Sequence, residues 1–272
     1  MVLCALGDLL LDVIVRLERP LAEGDDTPAV TRTSPGGQAA NVAAWAAELG
    51  AQSRVIGKRG NDEAGRLLAA ELSARGVEVL GPVAEERNGV VVSIVQPDGE
   101  RSLLSDRGAA PDLRPDEIDM GWLRGCEVLH LSGYSLLRSP IDQAGAKAAG
   151  AVRAQGGRIS VDLSTWTAIR DFGPERFLAR LAQLRPDVVF ASERELETLG
   201  AEPPAETLVL KRGARGCVVV RDGERSELPA LPTEVVDSTG AGDALAAGFL
   251  IGGAELGLEA AARCVSKLGA MP

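Results

Sequence analysis

The chain of 272 residues contains one histidine, His130. A histidine-based catalytic triad or zinc site would need more partners than this leaves. His130 lies in the apolar run Val128-Leu129-His130-Leu131 and reads as a core residue. The four cysteines, Cys4, Cys126, Cys217 and Cys264, are scattered, form no C-x-x-C pair, and read as buried reduced thiols. Aromatic residues make up only 3%, too few for a base-stacking platform. Basic charge is scarce as well: the net charge is −10 and the pI about 4.8, with no basic footprint for nucleic acid or an anionic membrane. No apolar run approaches the length of a membrane span. The N-terminus enters an apolar strand without a basic leader, so the cytoplasm is the expected compartment. Two nucleotide-binding signatures are also missing, G-x-x-x-x-G-K-[ST] and a G-x-G-x-x-G after the first strand.

What remains is rich in Ala, Leu, Val and Gly, with 45% hydrophobic residues, enough for a sizeable core. Short apolar runs alternate with helical patterns. Strands are expected at 2–6, 54–56, 128–131, 158–161, 188–190, 208–210 and 217–220. Helices are expected at 38–49, 63–75, 140–154, 177–184, 244–251 and 258–268. This alternation implies an α/β protein with a mainly parallel sheet covered on both faces, its ligand site outside the carboxyl ends of the strands. Two segments, approximately 9–35 and 88–108, break the pattern. The second carries a hairpin signal, an apolar run from Val90 to Val95 followed by the turn Pro97-Asp98-Gly99. Both read as a small β-stranded lid inserted in a single domain spanning 1–272.

The most specific string is Asp237-Ser238-Thr239-Gly240-Ala241-Gly242-Asp243, which opens the apolar helical run from Ala244 to Ile251. A helix start carries unpaired amides and the positive end of the dipole, and so binds phosphate. Asp243 would repel phosphate, which makes sense if it takes a proton from an alcohol attacking a phosphoryl group. The plainer reading is an N-capped helix with Ser238 or Thr239 as the cap. A second glycine pair, Gly36-Gly37, precedes Gln38-Ala39-Ala40-Asn41, with a polar amide on an Ala-rich helix. Here the backbone can approach a ligand's hydroxyls closely, although Gly-Gly at a helix start is also a common turn.

Together these pieces resemble the ribokinase-like (PfkB) family of carbohydrate kinases. Asp12 after the first strand, the Gly57/Asp62/Gly65 region, the helix ending Gly76-Val77 and the loop from Leu210 to Gly216 add to the resemblance, which runs from Val2 to about Ala270. It implies a three-layer α/β/α ribokinase-like fold and transfer of phosphate from ATP to a primary hydroxyl of a small sugar or sugar-like alcohol. Asp243 would be the base, and the amides of Gly240, Ala241 and Gly242 the anion hole. Asp12, Gly36, Gly37 and Asn41 would hold sugar hydroxyls. Lys211, Gly213, Gly216 and Thr239 would lie along the nucleotide. Glu195 would correspond to the glutamate of an N-x-x-E motif that organises Mg2+ through water, with Ser192 standing where the motif has Asn. Family members often bind a monovalent cation near the anion hole. Arg107, after the hairpin, is placed as a substrate contact, with an exposed hairpin-end arginine as the plainer reading. Asp162 sits at a strand end, as a site group or a cap. A nucleoside kinase and a catalytically idle sugar- or nucleotide-binding paralogue are the alternatives. Pairing two lids would cover their exposed strand edges, so a homodimer through the lids is expected.

Overall fold

A computed structural model describes residues 1–98 and 101–272. The expected turn at Pro97-Asp98-Gly99 thus lies partly outside the described residues, at Gly99. The central sheet has nine strands, in the spatial order Glu224–Leu228, Cys217–Arg221, Thr207–Lys211, Val188–Ser192, Arg158–Asp162, Val128–Ser132, Val2–Leu6, Gln52–Ile56 and Val77–Leu80. The seven from Thr207–Lys211 onward run parallel, and the two at the other edge are antiparallel.

Side chains alternate between the two faces with the period of two that a strand imposes. In the first strand Leu3 and Ala5 enter one core while Cys4 and Leu6 enter the other. Val188 and Phe190 divide from Val189 and Ala191 in the same way. The first core is closed by the helices Gln38–Glu48, Glu63–Ala74, Ala241–Gly252 and Ala254–Val265, the second by Ile141–Ala154 and Pro174–Leu184. The result is a three-layer α/β/α fold with a mainly parallel sheet. His130 is fully buried, its Nδ1 3.1 Å from Ser160 Oγ, and burial pushes it down to about 4, so it is a neutral core residue. All four cysteines are buried free thiols.

The two segments that interrupt the alternation form a second sheet of four strands, in the order Ala29–Gly36, Leu10–Leu17, Asn88–Val95 and Arg101–Gly108. Only Gly7, Asp8 and Leu9 separate its strand Leu10–Leu17 from the first strand of the central sheet, which plants it at the carboxyl end of that sheet. Leu10, Ile14 and Leu17 are buried, while Val30, Leu103 and Leu104 are exposed. Among the described residues no helix is long and apolar enough to cross a membrane.

The last helix runs from Ala254 to Val265, not over 258–268. Gly253, at φ 87°, breaks it from the helix before and lets it start early. At its other end the Val265 carbonyl accepts from the amides of Val236 and Asp237. From there the chain turns back along the start of the preceding helix. Pro174 at the first helical position likewise starts its helix three residues before Phe177.

Candidate functional site

Three neighbouring parallel strands end side by side, and each delivers a charged group at its carboxyl end. Arg158–Asp162 ends on Asp162, Val188–Ser192 leads into Glu195, and Thr207–Lys211 ends on Lys211, with Ser192 and Lys211 in register. Lys211 Nζ donates to both oxygens of the fully buried Asp162, at 2.8 and 2.6 Å, and the Ser164 amide donates to Asp162 Oδ1 at 2.9 Å. Burial works against the Lys211 charge, but Asp162 and Glu195 more than offset it and the ammonium is held above its ordinary value. Glu195 and Ser192 cap a helix reciprocally: the Ser192 amide donates to Glu195 Oε2 at 2.6 Å and the Glu195 amide to Ser192 Oγ at 3.3 Å. Burial raises the Glu195 carboxyl, with Lys211 opposing. Among the described residues no group of three or more His, Cys, Asp and Glu could hold a metal by itself.

The helix Ala241–Gly252 points its N-terminus at these strand ends. Gly240 caps it in the left-handed region at φ 78°, and a Cβ there would lie 2.5 Å from that of Ala270. The turn before it is drawn together by Asp237. Its Oδ1 accepts from the Thr239 amide at 2.9 Å and hydroxyl at 2.6 Å, and its Oδ2 accepts from the Gly269 amide at 3.0 Å. Ala241, Gly242 and Asp243 occupy the first turn, where amides precede the first intrahelical acceptors.

Asp243 Oδ2 accepts a 2.7 Å hydrogen bond from Asn41 Nδ2. Burial pushes its carboxyl up to about 7, with Asp162 adding to the rise and Asn41, Lys211 and Gln38 opposing it. Asp12 also stands at about 7, through burial and the charge of Asp243. The Asn41 Oδ1 is buried with no partner among the described residues. The paired glycines leave space for this cluster: a Cβ on Gly36 would lie 2.1 Å from Asp12 Oδ1, and one on Gly37, at φ 92°, 2.2 Å from the Asp8 carbonyl oxygen.

A cavity of about 500 Å3 opens beside the same helix start. Its lining includes Lys211, Arg212, Gly213 and Gly216, the aliphatic Leu231, Leu258, Ala262 and Val265, and Ser238, Ala241 and Gly242. Its size and mostly aliphatic lining suit a small organic ligand. The structure therefore gathers Asp243, Asn41, Asp12, Gly36, Gly37, Lys211, Glu195 and the helix turn at one end of the sheet. Thr239 and Arg107 are each held by another side chain near the site. The Thr239 hydroxyl and amide are bound to Asp237, and the neighbouring Ser238 lines the cavity. Arg107 is no exposed hairpin end: it pairs with Asp8, lies 4.3 Å over the Tyr134 ring, and its side chain is 15% exposed. The Asp162–Lys211 pair and the roles of Gln38, Asp8 and Asp237 were missed in the sequence. Only Asp162, as an acid at a strand end, gave a signal.

The pfkB family carbohydrate kinase pattern matches residues 2–271. An ATP-dependent ribose-1-phosphate kinase of Halopiger xanaduensis is 33% identical over 274 residues, covering 95% of this chain and 88% of that protein. The crystal structure of adenosine kinase from Sinorhizobium meliloti superposes with a TM-score of 0.88 at 26% identity, covering 99% of this chain and 95% of that one. A putative ribokinase II from Escherichia coli in complex with ATP and Mg2+ has a TM-score of 0.83 at 25% identity, covering 99% and 94%. With almost no part of the chain outside that match, the protein belongs to the pfkB family and is a carbohydrate kinase.

Proposed function

We propose that the protein transfers the terminal phosphoryl group of ATP to a primary hydroxyl of a small sugar or sugar-like alcohol, with Asp243 as the general base. The observation that carries this reading is the position of Asp243: a half-buried carboxyl raised to about 7, hydrogen-bonded to Asn41, in the first turn of a helix whose Ala241 and Gly242 line a cavity of about 500 Å3. A base poised near neutrality accepts a proton as the attacking hydroxyl becomes acidic. The hydroxyl oxygen forms its bond to the γ-phosphorus, the bond to the bridging oxygen breaks with its electrons leaving on ADP, and the proton passes to Asp243.

Phosphoryl transfer asks the protein mainly for positioning and charge stabilisation. The amides of Gly240, Ala241 and Gly242 face the charge on the transferring group. Asp12, Gly36 and Gly37 hold acceptor hydroxyls, and the unpartnered Asn41 Oδ1 accepts from one of them. ATP lies along Lys211, Gly213 and Gly216, with its base among the aliphatic side chains of the cavity. Glu195 would be the residue to hold Mg2+, a hard cation that keeps several waters, through water, and the ion would supply neutralisation of phosphate charge. The four-stranded sheet acts as a lid that excludes water from the transfer. Two lids pair and so cover their exposed strand edges, giving a homodimer; a monomer in light scattering at micromolar concentration would count against this.

The likeness to adenosine kinase favours a second reading, a nucleoside as acceptor on the same machinery. An ADP-release assay across sugars, sugar phosphates and nucleosides decides between them. Turnover abolished by Asp243→Asn supports the kinase mechanism. Tight binding without turnover of any acceptor points to an idle paralogue.

A further inference from the structure

We infer that Lys211 is itself a catalytic residue, its ammonium contacting the terminal phosphate of the donor as it is transferred. The inference rests on reading the start of the helix Ala241–Gly252 as the transfer site. Lys211 is the last residue of its strand and lines the cavity together with Ala241 and Gly242. A methyl group placed on Gly242 would rest 3.4 Å from Nζ, so the bare backbone of the helix's first turn and the ammonium are neighbours. An ammonium carries three protons. Asp162 takes two of them, one on each oxygen, and no other acceptor for Nζ exists among the described residues. The third proton is left for a ligand oxygen.

Charge points the same way. Asp162, Glu195 and Asp243 all act on Lys211, which is the cation that this group of carboxylates shares. Arg212 also lines the cavity but is already paired with Glu193 and Glu227, so a triphosphate entering without Lys211 would meet three acids against that paired guanidinium and the partial charge of a helix end. A buried ion pair adds little net stability, because desolvation consumes most of the attraction. The Lys211–Asp162 pair is therefore better explained by what its free proton meets: Asp162 fixes the ammonium in place, and Lys binds phosphate as a compact point charge. Lys211 keeps all its protons through the reaction; the acceptor's proton goes to Asp243, and the ammonium balances the charge on the transferring group.

The test uses the full chain and three variants. Lys211→Met is expected to lower kcat by about 10²–10³-fold, the range for losing one donor to transition-state charge. It also leaves Asp162 buried without its cation, so its thermal midpoint should fall. The double variant Lys211→Met with Asp162→Asn removes both charges; it is expected to regain the midpoint but not kcat. Lys211→Arg should retain part of the activity. Calorimetric titration without acceptor supplies a readout independent of turnover. Wild type should prefer ATP to ADP, and Lys211→Met should lose most of that preference. Recovery of kcat in the double variant, or an unchanged ATP-to-ADP ratio in Lys211→Met, would overturn the inference and leave Lys211 a structural partner of Asp162. A wild type inactive on every acceptor would refute the kinase mechanism itself. The binding ratio would then still decide whether Lys211 meets the terminal phosphate.

Discussion

Asn41 and Asp243 stand 202 positions apart in the chain and share a 2.7 Å hydrogen bond. Each belongs to a glycine-led helix start, so the bond couples the Gly36-Gly37 turn to the Gly240–Gly242 turn. Donation from Asn41 favours the charged form of Asp243, against the burial that raises it. Removing the donor therefore leaves burial less opposed. The Asn41→Ala variant should show its acidic limb of kcat/KM at higher pH than wild type, with kcat reduced about tenfold, less than the about 10²–10⁴-fold that a general base itself supplies. A pH–rate profile of both proteins checks this; an unmoved limb would detach Asn41 from the base.

Asp243→Asn should cut kcat by about 10²–10⁴-fold, as expected for loss of a general base, while ATP affinity measured by calorimetry stays close to wild type. The substitution is nearly isosteric and keeps a hydrogen-bonding atom toward Asn41, so the fold should survive. Retention of more than a tenth of wild-type turnover would remove Asp243 from its assigned role.

The titration of Asp243 also sets a pH dependence of stability. Its folded value, about 7, lies above its ordinary 3.8. Between those values the folded chain holds a proton that the unfolded chain has released. Stability from this group is thus complete below about 4 and is lost as pH rises toward about 7. Wild type should lose stability relative to Asp243→Asn across that window, measured by urea unfolding at pH 5 and pH 8. Activity runs the opposite way, since the base must be ionised, and climbs as pH passes through about 7. A difference between the two proteins that does not change with pH would contradict the raised value.

Gly240→Ala combines two costs. The backbone sits at φ 78°, and the added Cβ would lie 2.5 Å from Ala270 Cβ. A loss of about 1–3 kcal/mol of unfolding free energy is expected from the strain alone. Turnover should fall further than stability explains, because the turn carries the anion-hole amides. Wild-type kcat in a folded variant would argue against that hole.

Gly36→Ala acts on the acceptor side. Its Cβ would fall 2.1 Å from Asp12 Oδ1 and must displace that carboxylate. KM for the acceptor should rise at least tenfold, about 1.4 kcal/mol of lost binding, with ATP affinity unchanged. Steady-state kinetics with each substrate varied in turn separates the two; a rise in the ATP constant alone would misplace Asp12.

Much of this molecule can be read along the chain. Strand–helix alternation predicts a parallel sheet covered on both faces, and the sheet's two cores follow the period of two in Leu3, Cys4, Ala5 and Leu6. The helix start from Gly240 to Asp243 and the glycine pair at Gly36 and Gly37 were legible because small residues and a following apolar run are local signals. His130 was legible as core from its apolar neighbours.

Other features depend on which strands lie side by side, and no local pattern records that. Lys211 meets Asp162 across 49 positions because their strands flank Val188–Ser192 in the sheet. Arg107 reaches Asp8 because the second sheet is rooted at the carboxyl end of the first strand, which withdraws it from the exposed position that its place after a hairpin suggests. Thr239 turns to Asp237, and the segment around Gly269 and Ala270 closes on the same turn, because the last helix ends at Val265 and sends the chain back. By itself, then, the amino-acid order determined the elements and the two glycine-led turns, through backbone preferences acting over a few residues. Only the tertiary structure decided which charges share a pocket: that depends on strand order and on burial, which turns distant carboxylates and a lysine into neighbours in a medium where they act strongly on one another.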